Sequence, residues 1–400
     1  MLESDVAVIG GGVIGASIAY YLSKENRKVV LLEKDQLACE ASGACDGFIT
    51  LQTKRPGIQL DLAIKSRKMF GGLTEELGRS IEYRKSGSMI VIEEESQLDL
   101  MEKFVDSQRQ AGLDVNIVDN KEARRLEPAL SEHIAGASYC PSDGLVNPML
   151  LTIAFALAAE KHGAKICTGT EVSSIKVEGG KIRSLRTNLS EVKTNVVVNA
   201  AGIYASFVGA MVGINIPIKP RRGQLVVTQP SPLFIRSGLN DARYLLTKLW
   251  PDQVRGSEDE LDKLSGGLAV EQTESGNVLI GSTREFVGYD KGVTIEGITA
   301  MIRRSTRIIP RLRQLFAIRA FAGLRPYTPD GLPIMDMVNN LEGFVIAAGH
   351  EGDGIALSPI TGKTVAEMIT EGKVDPSLNS FSLGRFEKDH TQTTGEANPR

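Results

Sequence analysis

One tryptophan and four cysteines occur among 400 residues, and aromatic residues make up only 5%. So little cysteine excludes a disulfide-built scaffold. Cys39, Cys45, Cys140 and Cys167 form no C-x-x-C pair and have no histidine at zinc-ligand spacing, so reduced thiols and no metal site are expected. No apolar run approaches the roughly 20 residues that span a bilayer, and no internal repeat is present. A net charge of −3 gives no general attraction to nucleic acid. The first strand begins by Asp5, which leaves no room for a secretory leader ahead of it. The expectation is a cytoplasmic protein, with attachment to the inner face of a membrane left open. What remains is ordinary globular composition, 42% apolar and 24% charged, in a chain long enough for two domains with their own cores.

The stretch from Asp5 to Glu33, DVAVIGGGVIGASIAYYLSKENRKVVLLE, reads as strand, turn, helix and second strand. Gly10, Gly12 and Gly15 supply G-x-G-x-x-G. Gly10 permits the tight turn, Gly12 lets backbone approach a pyrophosphate, and Gly15 lets the helix pack close to the strands. Val13 and Ile14 open the helix, whose N-terminal N–H groups and dipole favour an anion. Glu33, followed by Lys34, closes the second strand where a carboxylate accepts hydrogen bonds from a ribose. The context therefore predicts dinucleotide binding, without separating NAD from FAD.

Small residues from Ala38 to Gly47 read as a loop entering a short helix, where Ser42, Gly43 and Gly47 bring backbone near a flat or phosphorylated ligand or simply form a packed turn. Cys45 within it is expected to be a buried structural thiol, with a role touching cofactor or substrate as the alternative. Helices are predicted over 60–77, 95–111 and 149–162, strands over 81–93, and a helix start at Asn120 as N-cap. Residues 136–148 read as turns. NVVVNAAGIYAS, 195–206, is a strand entering a glycine turn, so the chain weaves between two domains. Segments 217–229, 243–247, 268–273 and 277–283 read as strands of one antiparallel sheet. Residues 249–266 read as an exposed, irregular excursion. Arg303, Arg304 and Arg307 on the next helix, with Arg311 and Arg313 after Pro310, read as a solvated face or a partner surface. Near the C-terminus, 344–348 is an apolar strand, a glycine turn follows, and 360–370 is a helix; the tail beyond Leu383 is polar and expected to fray.

Two late runs, AFAGLRPYTPDGLPIMD (320–336) and FVIAAGHEGDGIALSPITGKTVAEMI (344–369), join the N-terminal G-x-G-x-x-G and Glu33 in a fixed order. Over about residues 4–372 the chain resembles the FAD-dependent D-amino acid oxidase superfamily, within it glycine oxidases, sarcosine oxidase beta subunits, hydrogen cyanide synthases and dye-linked proline or hydroxyproline dehydrogenases. The resemblance implies an α/β fold, a Rossmann-like FAD-binding domain (1–80, 148–215 and 320–383) interleaved with an α+β substrate domain built on an antiparallel sheet (81–147 and 216–319), and a flexible tail (384–400). It implies that Val172 and Gly202 meet FAD, and that the Gly349–Ile355 turn, with Gly352 and Gly354, offers N–H groups to the flavin.

Arg325 matches an arginine that grips the substrate carboxylate; a structural salt bridge is the alternative. Tyr244 matches loosely an active-site tyrosine, with a core tyrosine equally open. His350 stands over the flavin or serves as a polar wall. The cysteine that attaches flavin covalently in monomeric sarcosine oxidases has no counterpart after Cys167, so noncovalent FAD is expected. The implied reaction removes hydride from the carbon beside the nitrogen of a small amino acid or N-alkyl amino acid. The implied alternative is a beta-like subunit that passes electrons to partner subunits; an oligomer is expected. A scaffold or RNA-modifying role has little support in an acidic chain.

Overall fold

The computed structural model describes residues 2–250, 252, 258, 260–264, 266–372 and 375–386. A six-stranded sheet carries the nucleotide-type motif, in the order Ile334–Met337, Phe344–Ala348, Val196–Asn199, Val6–Ile9, Val29–Leu32 and Lys165–Cys167. All of its pairings are parallel except that between the first two strands. The strands are short and apolar because both faces are buried. Val6 and Val8 point into a core shared with the helices Val13–Lys24, Ile58–Leu77, Pro148–Lys161 and Gly354–Glu371. Ala7 and Ile9 point the other way, into a core closed by Ile175, Ile182, Leu185 and Val192 of a small four-stranded sheet.

The larger sheet has eight strands, in the order Ala317–Tyr327, Lys219–Thr228, Val278–Gly281, Ala269–Gln272, Gly238–Asp241, Ser88–Ile92, Gly136–Cys140 and Asn116–Asp119. Gly238–Asp241 runs parallel to Ser88–Ile92, so the expected antiparallel sheet is in fact mixed. The helix Ile295–Ile308 covers one face through Ala300, Met301 and Ile308. The edge strand Ala317–Tyr327 pairs with Lys219–Thr228 over its whole length, so the expected boundary between 319 and 320 falls inside a strand of this sheet. Among the described residues no helix is long and apolar enough to cross a membrane.

Several local expectations are corrected. Segment 243–247 belongs to a helix, Ala242–Leu249, because the Asp241 carboxylate accepts from the Tyr244 N–H at 2.7 Å and starts a helical turn where alternation alone suggested a strand. The turn-rich stretch 136–148 contains an interior strand of the large sheet, Gly136–Cys140. Extended pairing in 81–93 is confined to Ser88–Ile92 and a bridge at Arg84. Asp119, not Asn120, caps the helix Asn120–Leu126, accepting from Glu122 N–H. The last long helix begins at Gly354, six residues earlier than its clearest apolar repeat, and carries Pro359 within it. Arg385 pairs with Asp330 at 2.7 Å, so the tail is held up to that point; 387–400 lie outside the described residues.

Arg304 is the largest correction. Instead of facing solvent it is 1% exposed and pairs with Asp241 at 3.0 Å and Asp262 at 3.3 Å. Asp262 comes from the supposed exposed excursion, much of which lies outside the described residues, and it also meets Arg243. Removing one partner of a buried pair strands the other's charge. Arg304→Ala should therefore lower unfolding free energy by about 3 kcal/mol, read as a reduced urea midpoint; a midpoint equal to that of the parent would contradict this role.

Candidate active site

A cleft of about 370 Å3 lies where the six-stranded sheet meets the eight-stranded one, within the size range of ligand pockets. Its first wall is the carboxyl edge of Val6–Ile9 and Val196–Asn199, the point where strand order reverses and nucleotides bind in open α/β sheets. Gly10 takes φ +113°, and a Cβ there would meet Ala200 O at 2.5 Å. Gly10, Gly12, Val13 and Ile14 line the cleft with Ser42 and Gly202. Gly12 is the N-cap of Val13–Lys24 and has no side chain of its own to cap that end; Ser42 Oγ accepts from Val13 N–H at 3.0 Å. The only neighbour a Cβ at Gly12 would meet is Ser42 Oγ at 3.2 Å, so the helix terminus is open toward the cleft.

Glu33, Lys34 and Val172 also line the cleft. The Glu33 carboxylate accepts from Gly11 N–H at 2.6 Å and Asp35 N–H at 2.8 Å. Lys34 sits 3.7 Å from the centroid of the Tyr204 ring, another lining group. Three expected glycines lie behind the wall. A Cβ at Gly15 would fall 1.9 Å from Gly10 O, which fixes the helix against its own turn. Gly43 and Gly47 pack against Ala38 O and Val146 O at comparable distances, so each serves a chain crossing rather than a ligand approach.

The opposite wall joins the turn at 349–355 to the large sheet. Gly349, His350, Gly352, Gly354 and Ile355 line it, as do Arg325 and Tyr244. A Cβ at Gly352 would lie 3.7 Å from Arg325 Nε, so the guanidinium rests against the turn. Arg325 donates to Ser282 Oγ at 2.6 Å and Thr283 O at 3.1 Å. Tyr244 projects from a helix rather than a strand, and Arg284 stacks on its ring at 4.7 Å. His350 is buried, with Nε2 3.1 Å from Thr361 Oγ1. Burial pushes its pKa down to about 4, so the ring is neutral at pH 7. Cys45, expected to be a buried structural thiol or to touch cofactor or substrate, lines the cleft, and burial raises its thiol pKa.

Sequence reasoning missed the buried ions around this turn. Glu351, in the left-handed region at φ 51°, pairs with Arg221 and approaches Arg325 Nε at 4.0 Å. Burial opposes its charge, but Arg284, Arg221, Arg325 and Lys248 hold its carboxyl well below the ordinary range. Asp353 pairs with Lys54 at 2.8 Å and Lys248 at 3.4 Å. Two acids inside the glycine-richest late turn were the available signal; their partners are remote in sequence, so no spacing rule reaches them. Asp46 lines the cleft, and its neighbour Glu271 holds Gly47 N–H at 3.0 Å. Burial, reinforced by Asp46, pushes the Glu271 carboxyl up to about 8.

Two helix N-termini, at Gly12 and at Asp353, neither capped by its own N-cap side chain, open on the same cleft. This donor set fits a dinucleotide that carries a redox ring: the first terminus suits a diphosphate, and Glu33 suits a ribose once it exchanges backbone for hydroxyl donors. The second terminus, with its flanking cations, suits a ring that gains negative charge on reduction. Fold and cleft together define a dinucleotide-dependent oxidoreductase.

The model of the FAD dependent oxidoreductase family, DAO, matches residues 5–368, and the chain belongs to that family. It is an FAD-dependent enzyme. The chain is similar to glycine oxidase of Geobacillus kaustophilus, 31% identical over 95% of this chain and 97% of that one. It is also similar to hydrogen cyanide synthase subunit HcnC of Pseudomonas aeruginosa, 28% identical over 96% of each. Among solved structures, L-proline dehydrogenase from P. horikoshii superposes with a TM-score of 0.86 at 28% identity, covering 97% of this chain and 99% of that one.

The folded Glu271 carboxyl keeps its proton up to about 8, whereas the ordinary value is 4.5. Between these values the native state binds more protons than the unfolded chain, so stability is lost as pH rises through the window. Glu271→Gln keeps an acceptor for Gly47 and removes the titration. Its urea midpoint should decline less than the parent's across that range; parallel declines would assign the proton elsewhere.

Proposed function

We propose that this protein removes a hydride from the carbon beside the nitrogen of a small amino acid or N-alkyl amino acid, of the glycine, sarcosine, proline or hydroxyproline type, and gives an imine. The observation that carries this reading is the Arg325 guanidinium resting against the Gly349–Ile355 turn inside the cleft. Its planar fork suits a carboxylate, and its two bonds to Ser282 and Thr283 fix its plane before substrate arrives. Similarity to proteins named glycine oxidase and L-proline dehydrogenase supports the same class, oxidation at CH–NH or CH–NH2. FAD, when bound, supplies the two-electron acceptor.

The chain's own task is positioning. Arg325 holds the carboxylate, and the apolar wall of Phe48, Leu225 and Leu324 limits water. Neutral His350 offers no charge to the reacting carbon, so a neutral amine must arrive or be formed by loss of a proton to solvent. FAD is held noncovalently in this reading, since no cysteine follows Cys167.

A second reading, a catalytic subunit that passes electrons to a partner, is favoured by the start of the edge strand. Phe316, just before the strand, is 75% exposed and Ile318, on it, 60%, and the strand's outer side is unpaired among the described strands. The relative named as a hydrogen cyanide synthase subunit supports it too. Turnover with an artificial dye but not with oxygen would favour this reading.

Anaerobic addition of amino acids and N-methyl amino acids should bleach the flavin absorbance of the purified protein for at least one member of the class; none bleaching would overturn the assignment. Arg325→Ala should raise KM for that substrate about a hundredfold, while FAD affinity changes by no more than a few-fold. An unchanged KM would remove Arg325 from substrate binding.

A further inference from the structure

Two glycines that face each other at the edge of the large sheet bring an anion and a cation to one wall of the cleft. Gly223 and Gly323 pair directly, on the strands Lys219–Thr228 and Ala317–Tyr327. A Cβ at Gly223 would overlap the Arg325 guanidinium, which therefore lies over that residue. A Cβ at Gly323 would overlap Ala44 O, so the segment 44–47 crosses the strand there, beside the fork. Arg325 stands two residues beyond Gly323 and projects from the same face. The other end of the segment is fixed as firmly. Gly47 N–H donates to both carboxylate oxygens of Glu271, at 3.0 and 3.1 Å, and Gly47 O accepts from Val146 N–H at 2.9 Å. Asp46 lies between these two anchors, is partly exposed, and lines the cleft with Gly223, Gly323 and Arg325.

Asp46 carries the negative charge of this wall. Burial raises both its carboxyl and that of Glu271, and the two acids oppose each other's ionisation. Arg325, Arg284 and the Phe48 N–H favour the charged form of Asp46, whereas Glu271, with Gly47 N–H and the field of Arg84, keeps its proton up to about 8. The neighbouring Cys45 thiol, raised by burial and by Asp46, adds no charge at pH 7. Among the described residues no basic nitrogen lies within 4.0 Å of the Asp46 carboxylate, and Arg325 approaches Glu351 only at 4.0 Å. A carboxylate accepts about four hydrogen bonds, more than the backbone beside Asp46 supplies. A guanidinium and a carboxylate thus flank one strand crossing without closing on each other. That arrangement complements a small molecule carrying both charges, as an amino acid does at neutral pH.

We propose that Asp46 receives the ammonium group of the substrate while Arg325 receives its carboxylate, so that the protein binds the zwitterion rather than the free amine. This rests on the amine-oxidation reading above and specifies the form in which the substrate enters. No bond to Asp46 forms or breaks; it orients the nitrogen, and the proton is lost to solvent before oxidation. The same attraction holds that proton on the nitrogen, so it strengthens binding and slows formation of the reactive neutral amine.

The test uses the FAD-loaded protein and two pairs of molecules matched in shape, sarcosine with methoxyacetate and L-proline with tetrahydrofuroate, in which oxygen replaces the ammonium nitrogen. Dissociation constants are read anaerobically at pH 7 from the change in flavin absorbance. For at least one pair the amino acid should bind at least about tenfold more tightly than its oxygen analogue, the equivalent of about 1.4 kcal/mol. Asp46→Asn should bring that ratio toward one by weakening the amino acid and not the analogue. It should leave the limiting rate of flavin reduction at pH 7 equal to the parent's or higher, because the bound ammonium then gives up its proton more readily. Losses shared by the analogue and by the rate would mark a merely structural role and overturn the proposal. Analogues bound as tightly as the amino acids in both pairs, or no binding at all, overturn it without need of a variant, as does an Asp46→Asn protein that keeps the preference. Bleaching by sarcosine or L-proline with no advantage over the analogue sinks this inference alone. A preference that depends on Asp46, with no bleaching by any amine, sinks the oxidation reading and leaves the zwitterion site standing.

Discussion

The close approach of the first and last long helices is the constraint on which this architecture depends. Ser17 in Val13–Lys24 donates from Oγ to Ser358 O at 2.8 Å, and a Cβ at Gly362 would fall 2.0 Å from the Ser17 hydroxyl. No larger side chain fits at Gly362 without parting the helices. Their packing follows from the strands beneath, where Val196–Asn199 pairs with both Val6–Ile9 and Phe344–Ala348. Both helices therefore turn their N-termini to one cleft, although the segments are more than 300 residues apart. Two partial positive charges at one cleft favour an elongated ligand with negative charge near each end.

The large sheet contributes by holding charge where water is scarce. Asp241 links several of its parts: it accepts from the N–H groups of Tyr244 and Leu268 and pairs with Arg304. The helix that carries Tyr244 is thereby tied to the sheet and to the helix Ile295–Ile308. Glu351 does comparable work across the cleft, joining the late glycine turn to Arg221 on the sheet. Its left-handed backbone is the local strain that this attraction maintains. The cations around the turn are consequently held by contacts from both halves of the molecule, which leaves them little freedom to reorganise during a reaction.

Much of the nucleotide half was legible because its information is local. The turn at Gly10–Gly15, the strand pair around it and the strand Phe344–Ala348 each depend on residues within a few positions of one another. The errors arose where a distant partner decides the outcome. Arg304 reads as a surface charge on its own helix, and only Asp241 and Asp262 make it an interior residue. Gly43 and Gly47 look like ligand-facing glycines until Ala38 and Val146 are seen to occupy the space beside them. Segment 243–247 has a strand-like composition, overridden by a single carboxylate cap.

Periodicity, glycine spacing and short motifs encode the dinucleotide turn and the order of strands and helices along the chain, whereas the approach of Arg325 to the late glycine turn is a through-space contact. The charges around the cleft are likewise assembled by tertiary contacts. Lys54, Arg221, Lys248 and Arg284 come from segments remote from the turn that holds Glu351 and Asp353, and whether a buried ion is balanced depends on through-space distances of a few ångströms that linear spacing does not carry.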